Sequence, residues 1–207
     1  MHDSTPLMQP IPTCTDTLRR TLDAIEPGAG ARSLHELAAL FVRHSCPRGR
    51  SLLAQGQPWQ DALLIETGLV RMHFVRRDGR EFNKNFFAES TLVCPLTPAM
   101  WSEPSLFAIS ALEASALWRC DAAAFREVLQ AHGEWQPLRG ELLSRLLTAK
   151  LQREHELLAH DGRTRYERFC AAQPGLARRV PLRHLASYLG LTDVSLSRLR
   201  RQQRHGA

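Results

Sequence analysis

The sequence lacks the features of a membrane protein and of a disulfide-stabilised scaffold. No apolar run approaches the roughly 18 residues needed to span a bilayer, and the polar N-terminus has no signal-peptide core. The five cysteines are an odd number, widely spaced and without a Cys-x-x-Cys pair. That spacing argues against a disulfide framework or a structural zinc site. We therefore expect a cytoplasmic protein that does not bind membranes.

Signatures of catalysis are missing too. The chain has no glycine-rich phosphate loop, no Gly-x-Ser-x-Gly and no convincing pair of acids. His155-Glu156 begins like a zinc-protease motif, in which a second histidine follows the first by four residues. Here the next histidine is His160, five residues on, and on a helix its ring would point about 100° away from the required direction. A metal enzyme built on a cupin-like barrel would need several histidines in strands, and only His73 falls in a clear strand. We expect no enzymatic activity, metal or cofactor.

Positive charge is concentrated at one end of the chain. Residues 176–207 contain seven arginines and one acid, a net charge of +6, which equals the net charge of the whole protein. The first 175 residues therefore balance, with 20 basic and 20 acidic side chains. A basic block of this kind indicates a surface that binds nucleic-acid phosphates, although a solvated basic tail is the simpler alternative.

The same block fits a helix-turn-helix pattern from Leu182 to Arg201. Ala186 is small where the two helices should cross, and Gly190 can adopt positive φ in the turn. Thr192 is a candidate N-cap for the second helix. An ordinary αα-hairpin would not require the small residue and the glycine at these spacings. The small core that fixes the two helices should consist of Leu185, Leu189, Leu191, Leu196 and Leu199.

The preceding residues predict helices and then many short strands. Helical spacing covers residues 18–25 and 33–44, with Ser33 as a possible N-cap. Asp78-Gly79 predicts a hairpin turn. Short strands separated by glycine and proline favour a barrel or jelly roll. The predicted strands are 49–54, 62–66, 69–75, 81–87, 92–94, 106–112 and 114–120.

The strand over residues 69–75 alternates Val70, Met72 and Phe74 with Arg71 and His73. This alternation predicts an apolar inward face and a polar outward face. The interior of the strands suits a packed core better than a hydrophobic ligand. Its predicted members are Leu64, Val70, Met72, Phe86, Leu106 and Ile109.

A helix capped by Asp121 should cover residues 121–131, and a long helix should cover 134–160. Two apolar stripes run along the long helix, which predicts two partners: its own barrel and a second copy of the chain. A helix buried within a monomer is the alternative. The first stripe supplies the predicted dimer residues Leu138, Leu142, Leu146 and Ala149. The second consists of Leu143, Leu147, Leu151 and Leu158, and the pattern does not decide which stripe is the seam.

This order of elements resembles the Crp/Fnr family of bacterial transcription regulators. The resemblance rests on residues 63–71, 78–81, 111–115 and 178–201 and extends over about residues 18–204. It implies an α+β fold with a double-stranded β-helix (jelly-roll) sensor domain, a long dimerisation helix and a C-terminal helix-turn-helix whose wing is reduced or absent. The implied units are a flexible tail (1–17), a β-roll (18–133), a connector helix (134–160) and a DNA-binding domain (161–207). The implied partners are a second copy, two-fold duplex DNA and RNA polymerase.

Two departures from the family limit the possible effector. Cyclic-nucleotide-binding members have a Gly-Glu-Leu and an Arg-Ser pair in their phosphate cassette, whereas this chain has residues 88–92 (AESTL) and 104–107 (PSLF). A buried phosphate without its arginine would cost several kcal/mol, so we expect a different effector, or none. The N-terminal cysteine cluster of iron–sulfur members is reduced to Cys14. A lone strand histidine such as His73 is more typical of a polar surface than of haem ligation.

The second helix, over residues 192–204, is the predicted recognition helix in the DNA major groove. Arg198 is the best candidate for a bidentate contact to guanine, and Val194 for a thymine methyl. Asp193 fits either a cytosine contact or a role at the helix start, and Ser197 also faces outward. Residues that should bind phosphates and set orientation are Arg183, Thr192, Ser195, Arg200, Arg201 and Arg204. The alternative function is a ligand-sensing protein whose C-terminal module docks a protein partner, for which DNA binding would be weak and insensitive to salt.

Overall fold

The computed structural model describes residues 13–205, and side chains as far as residue 202. The predicted tail therefore lies outside the described residues up to residue 12. The helices are α1 (Cys14–Ile25), α2 (Leu34–Leu40), α3 (Pro98–Ser102), α4 (Ala122–Ala131), α5 (Trp135–Ala159), α6 (Gly162–Ala172), α7 (Pro174–Arg179), α8 (Leu182–Leu189) and α9 (Asp193–His205). The strands are β1 (Val42–Cys46), β2 (Ser51–Leu53), β3 (Asp61–Thr67), β4 (Val70–Val75), β5 (Glu81–Phe87), β6 (Leu92–Val93), β7 (Ala108–Ala111) and β8 (Ser115–Asp121).

The strands form two four-stranded antiparallel sheets. One has the order β1-β8-β3-β6 and the other β2-β7-β4-β5. Leu63 and Ile65 of β3 pack with Val70 and Met72 of β4 in a core to which both sheets contribute. Ala62 and Leu64, on the opposite side of β3, lie in a second core among the helices. Successive side chains of a strand point to opposite faces, so the five central residues of β3 are all buried because both its faces are covered.

Helices α1, α2, α4 and the start of α5 cover the first sheet. Leu18, Leu22, Phe125 and Leu138 are fully buried in this helical core. Helix α1 begins at Cys14, so residues 14–17 belong to the fold and not to a flexible tail.

Two predictions at the second helix need correction. Residues 42–46 form a strand paired with β8, not the end of a helix. The helical spacing of the preceding apolar residues extended the predicted helix into this segment. In the structure the segment is an edge strand, because β8 supplies its backbone hydrogen bonds. Ser33 precedes α2 without a capping hydrogen bond, because its hydroxyl donates to the Glu134 carboxylate at 2.5 Å.

The C-terminal helices form a third core against the second sheet. Tyr166, Phe169, Leu185 and Leu196 pack together there, joined by Phe86 of β5.

Asp121 and Asp161 accept hydrogen bonds from the first turns of α4 and α6, as N-caps do. Helix α7 begins at Pro174, since proline is tolerated in the first turn of a helix. Leu106, predicted to lie inside the strands, is exposed.

Candidate nucleic-acid interface

Helices α8 and α9 cross over a small apolar core. Ala186 is fully buried, and the chain turns at Gly190 with φ of 66°. Gly190 closes the end of α8 by donating its N–H to the Ser187 carbonyl at 3.3 Å. Leu185 and Leu196 are fully buried, with Leu191 and Leu199 packed beside them. The small residue and the turn glycine thus occupy the positions that the sequence pattern requires.

Thr192 closes the start of α9. Its hydroxyl oxygen accepts a hydrogen bond from the Ser195 backbone N–H at 3.1 Å and lies 2.8 Å from the Ser195 hydroxyl. These are the contacts of an N-cap. Both side chains remain exposed, so their hydroxyls also face solvent beside the first turn.

The predicted base-contacting residues lie on the outer face of α9. Asp193, Val194 and Arg198 are exposed, and Ser197 is half-buried. Val194 is 69% exposed. The face therefore combines one apolar contact, one acid and one guanidinium.

The predicted phosphate contacts divide into three groups. Arg183 and Arg201 are exposed. Arg200 is half-buried, and its guanidinium donates to the Ala177 carbonyl at 3.2 Å, which ties α9 to α7. Its phosphate contact stays a prediction. Arg204 lies beyond the last described side chain.

The two apolar stripes of the long helix α5 are buried to different degrees. Leu138 is fully buried in the helical core of its own chain, so its predicted place in a dimer seam is wrong. Leu142 is partly buried against the same core, Leu146 is half-buried, and Ala149 is exposed. The most exposed leucines of the helix belong to the other stripe, where Leu147 is 59%, Leu151 58% and Leu158 81% exposed. Their spacing of four and seven matches the a and d positions of a coiled coil.

The C-terminal module, which consists of helices α6 to α9, docks on the second sheet partly through ion pairs. The Arg179 guanidinium, on α7, donates to Glu89 and to Glu113, with closest contacts of 2.8 Å to each carboxylate. The hydrogen bonds from Arg179 lower the pKa of Glu89 to about 2, and the two carboxylates raise the pKa of Arg179. Glu89 lies between β5 and β6 and Glu113 between β7 and β8, so Arg179 contacts two loops that connect the second sheet to the first.

A second docking contact surrounds His184 of α8. Its ring nitrogens lie 3.0 Å from a guanidinium nitrogen of Arg71 and 3.1 Å from that of Arg183. Burial, and then these two positive groups, lower the pKa of His184 to about 4. The ring is therefore neutral at physiological pH. Ser187 adds a hydrogen bond from the Asn83 backbone N–H at 3.0 Å.

This docking overturns the predicted outward face of β4. Arg71 and His73 are buried, and Arg71 contacts His184 of α8, whereas Phe74, predicted to point inward, is partly exposed. Arg71 donates to the Ser110 hydroxyl at 3.0 Å and pairs with Glu81 at 2.7 Å. Alternation in one strand cannot reveal that a distant helix covers its polar face. His184 and Tyr188 are four residues apart and therefore lie on the same side of α8, beside its apolar face. This spacing is the sequence signal that α8 also packs against the second sheet.

The elbow between α5 and α6 also differs from expectation. His155 and His160 were predicted to point apart, yet their ring centroids are 5.3 Å apart. The prediction assumed that α5 continues through His160. The helix ends at Ala159, and His160 has an extended backbone, with φ of −122° and ψ of 146°. Its ring consequently turns back toward the last helical turns.

Comparison with known proteins identifies the architecture. No family model and no curated protein matches the sequence. Among solved structures, the c-di-GMP-responsive global regulator CLP of Xanthomonas campestris superposes with a TM-score of 0.70 at 17% identity, covering 85% of this chain and 93% of that one. FixK2 from Bradyrhizobium japonicum gives a TM-score of 0.64 at 19% identity, covering 80% and 85%. A CooA mutant from Carboxydothermus hydrogenoformans gives 0.64 at 18%, covering 83% and 79%.

These structures are Crp/Fnr regulators. The chain has the Crp/Fnr fold. At these identities the likeness establishes the architecture, and the roles of individual residues need their own argument. Within residues 13–205 no helix is long and apolar enough to cross a membrane.

The segments that depart from the Crp/Fnr phosphate cassette already have partners inside the chain. Glu89 accepts a hydrogen bond from the Gly68 N–H at 2.9 Å in addition to its pairing with Arg179. The Ser105 hydroxyl donates to the Phe107 carbonyl at 2.8 Å. Both polar groups therefore stabilise the chain's own turns and docking contacts.

Proposed function

We propose that the protein is a homodimeric, sequence-specific DNA-binding transcription regulator. Helix α9 is the recognition helix of a helix-turn-helix and enters the major groove, one copy in each half-site of a two-fold operator. The β-sandwich is a jelly-roll sensor domain. The protein acts in the cytoplasm, and its partners are duplex DNA, a second copy of itself and RNA polymerase.

The observation that carries this proposal is the outer face of α9. Val194, Arg198 and Arg201 are exposed on a helix that a buried leucine core holds at its base. Arginine with a bidentate fork reads guanine O6 and N7, and an aliphatic side chain suits a thymine methyl. Val194 is exposed beside Asp193, and a major groove would cover it.

Dimerisation follows from the exposed stripe of α5. Leu147, Leu151 and Leu158 have no partner among the described residues, and their spacing suits a two-stranded seam with the same helix of a second copy. The seam proposed here is the second of the two apolar stripes. We expect Leu151→Arg to yield monomers in analytical ultracentrifugation, whereas Leu142→Arg should unfold the helical core instead.

The effector, where one exists, is not a cyclic nucleotide. Residues 104–107 supply no cation for a cyclic phosphate, and Glu89 is held by Arg179. A buried phosphate monoanion at these residues would therefore lack a neutralising cation of its own. We expect cyclic AMP to leave both thermal stability and DNA affinity unchanged.

The test compares two arginines of α9 on a selected DNA site. Arg198→Ala should relax the base preference at one position of each half-site, worth about 1–3 kcal/mol of discrimination. Arg201→Ala should weaken binding to all sequences alike and reduce the salt dependence of the affinity. An unchanged base preference in Arg198→Ala would contradict the assignment of that residue. Binding that ignores salt would instead favour a module that docks protein.

A further inference from the structure

The elbow between α5 and α6 gathers three metal-binding side chains. His155 and Glu156 lie in the last turn of α5, and His160 follows its end. One ligand atom from each residue falls within 4.8 Å of the other two. The two imidazole rings stand nearly perpendicular, at 87°, with their centroids 5.3 Å apart.

Two atoms of this cluster are buried without a hydrogen-bond partner among the described residues. They are Oε2 of Glu156 and Nε2 of His160, which lie 3.9 Å apart. Buried polar atoms in native proteins are nearly always satisfied, so an unpaired donor or acceptor requires an explanation. A cation between these two atoms would satisfy both at once.

The surroundings orient the cluster for such an ion. The Arg168 guanidinium donates to Oε1 of Glu156 at 2.7 Å, which leaves Oε2 free. Arg165 donates to the His160 carbonyl at 2.7 Å and fixes the backbone that carries the ring. Partners of this kind position metal ligands in known sites. The two guanidinium groups also repel a cation, so the site should bind more weakly than a structural zinc site.

We propose that His155, Glu156 and His160 form a binding site for a divalent transition-metal cation, with Zn²⁺ as the best match. Two imidazoles and one carboxylate are a common ligand set for this ion, with water as the fourth ligand. Bonds of about 2.1 Å in a tetrahedron place ligand atoms roughly 3.4 Å apart, so the 3.9 Å pair must close by about half an ångström. His155 and Glu156 line an open cleft of about 940 Å³, which gives the ion and its water access.

Bound metal would fix the direction in which α6 leaves α5. Two ligands belong to the long helix and one to the residue before Asp161, the N-cap of α6. The ion therefore ties together the two sides of the elbow, and the C-terminal module follows α6. The three ligands all belong to this chain, and none of them is a proposed DNA contact. Metal binding can therefore be tested apart from the proposed regulator function.

The experiment is a calorimetric titration of the full-length protein with Zn²⁺, without DNA. We expect one ion per chain and at least a tenfold loss of affinity in His155→Gln and in His160→Gln. His155 is exposed, so its variant should fold normally, and circular dichroism checks this. His44→Gln, an exposed histidine on β1, is the matched control and should bind as the native protein does.

Co²⁺ supplies the second readout. The absorption spectrum of the Co²⁺-loaded protein should show a nitrogen–oxygen site without thiolate charge-transfer bands, because the site contains no cysteine. Equal loss of Zn²⁺ affinity in His44→Gln, unchanged affinity in His155→Gln, a thiolate spectrum or no Zn²⁺ binding would each overturn the proposal. Because no arm uses DNA, a failure here is separate from a failure of the DNA-binding proposal.

Discussion

The two outer faces of the β-sandwich are covered in different ways. Helices α1, α2, α4 and α5 cover the first sheet with an almost entirely apolar core that includes Phe125 and Leu138. The C-terminal module covers the second sheet with some apolar contacts, such as Phe86 against Tyr188, but also with ion pairs and a buried histidine. Apolar burial responds little to pH and salt, whereas charged contacts respond to both. The comparison suggests that the first face is permanent and the second separable.

The largest effect is expected on the apolar face. Phe125→Ala removes a fully buried ring and should lower the free energy of unfolding by about 3–5 kcal/mol. Urea denaturation followed by tryptophan fluorescence measures this change. Val42→Ala is the control, since its side chain is 60% exposed and its loss should cost less than about 0.5 kcal/mol. Equal effects of the two substitutions would contradict the assignment of the permanent core.

Acid should separate the second face before it unfolds the first. His184 has a pKa of about 4 when docked, because of its burial and then Arg71 and Arg183, against about 6.5 when solvated. The undocked state therefore takes up the proton first. Docking should weaken as the pH falls from about 6.5 to about 4, by at most about 3 kcal/mol, and change no further below that for this group. Burial lowers the pKa of His73 as well, in the same direction.

Hydrogen exchange of β5, corrected for the intrinsic rate at each pH, measures this loss relative to β3. His184→Gln should remove most of the pH dependence in that window. Glu89 serves as an internal reference, because its pKa of about 2 keeps it ionised until the pH falls well below 4. Protection of β5 that does not change between pH 7 and pH 4 would argue against a separable face.

A smaller effect is expected from the ion pairs at α7. Arg179→Gln removes both carboxylate contacts of a partly exposed guanidinium and should weaken docking by about 1–2 kcal/mol. The same loss should appear in the native protein as salt is raised. Limited proteolysis of the elbow reports the undocked fraction. The neighbouring Arg178 is exposed, and Arg178→Gln should behave as the native protein does.

Much of the architecture was predictable because it depends on short-range pattern. The turn at Gly190, the small Ala186 and the Asp78-Gly79 hairpin follow from backbone geometry within a few residues. The Crp/Fnr resemblance supplied the order of the elements, and the fold comparison confirmed it. Most strand positions were also correct to within two residues.

The remaining differences arise from contacts distant in sequence or from where a helix ends. Arg71 is buried because α8, more than a hundred residues later, covers it. The apolar stripes of α5 look alike in sequence, and only packing of Leu138 in its own core separates them. His160 approaches His155 because α5 ends one residue earlier, a boundary that periodicity does not locate.

The central claim is that α9 reads DNA as part of a two-fold dimer. Selection of bound sequences from random duplex DNA tests it most directly. The account predicts a motif with two inverted half-sites whose centres are about one helical turn, 10–10.5 base pairs, apart. In Arg198→Ala the base preference should be lost at one position of each half-site. Failure to enrich any sequence at low ionic strength, or enrichment of a motif without two-fold symmetry by a monomeric protein, would contradict it.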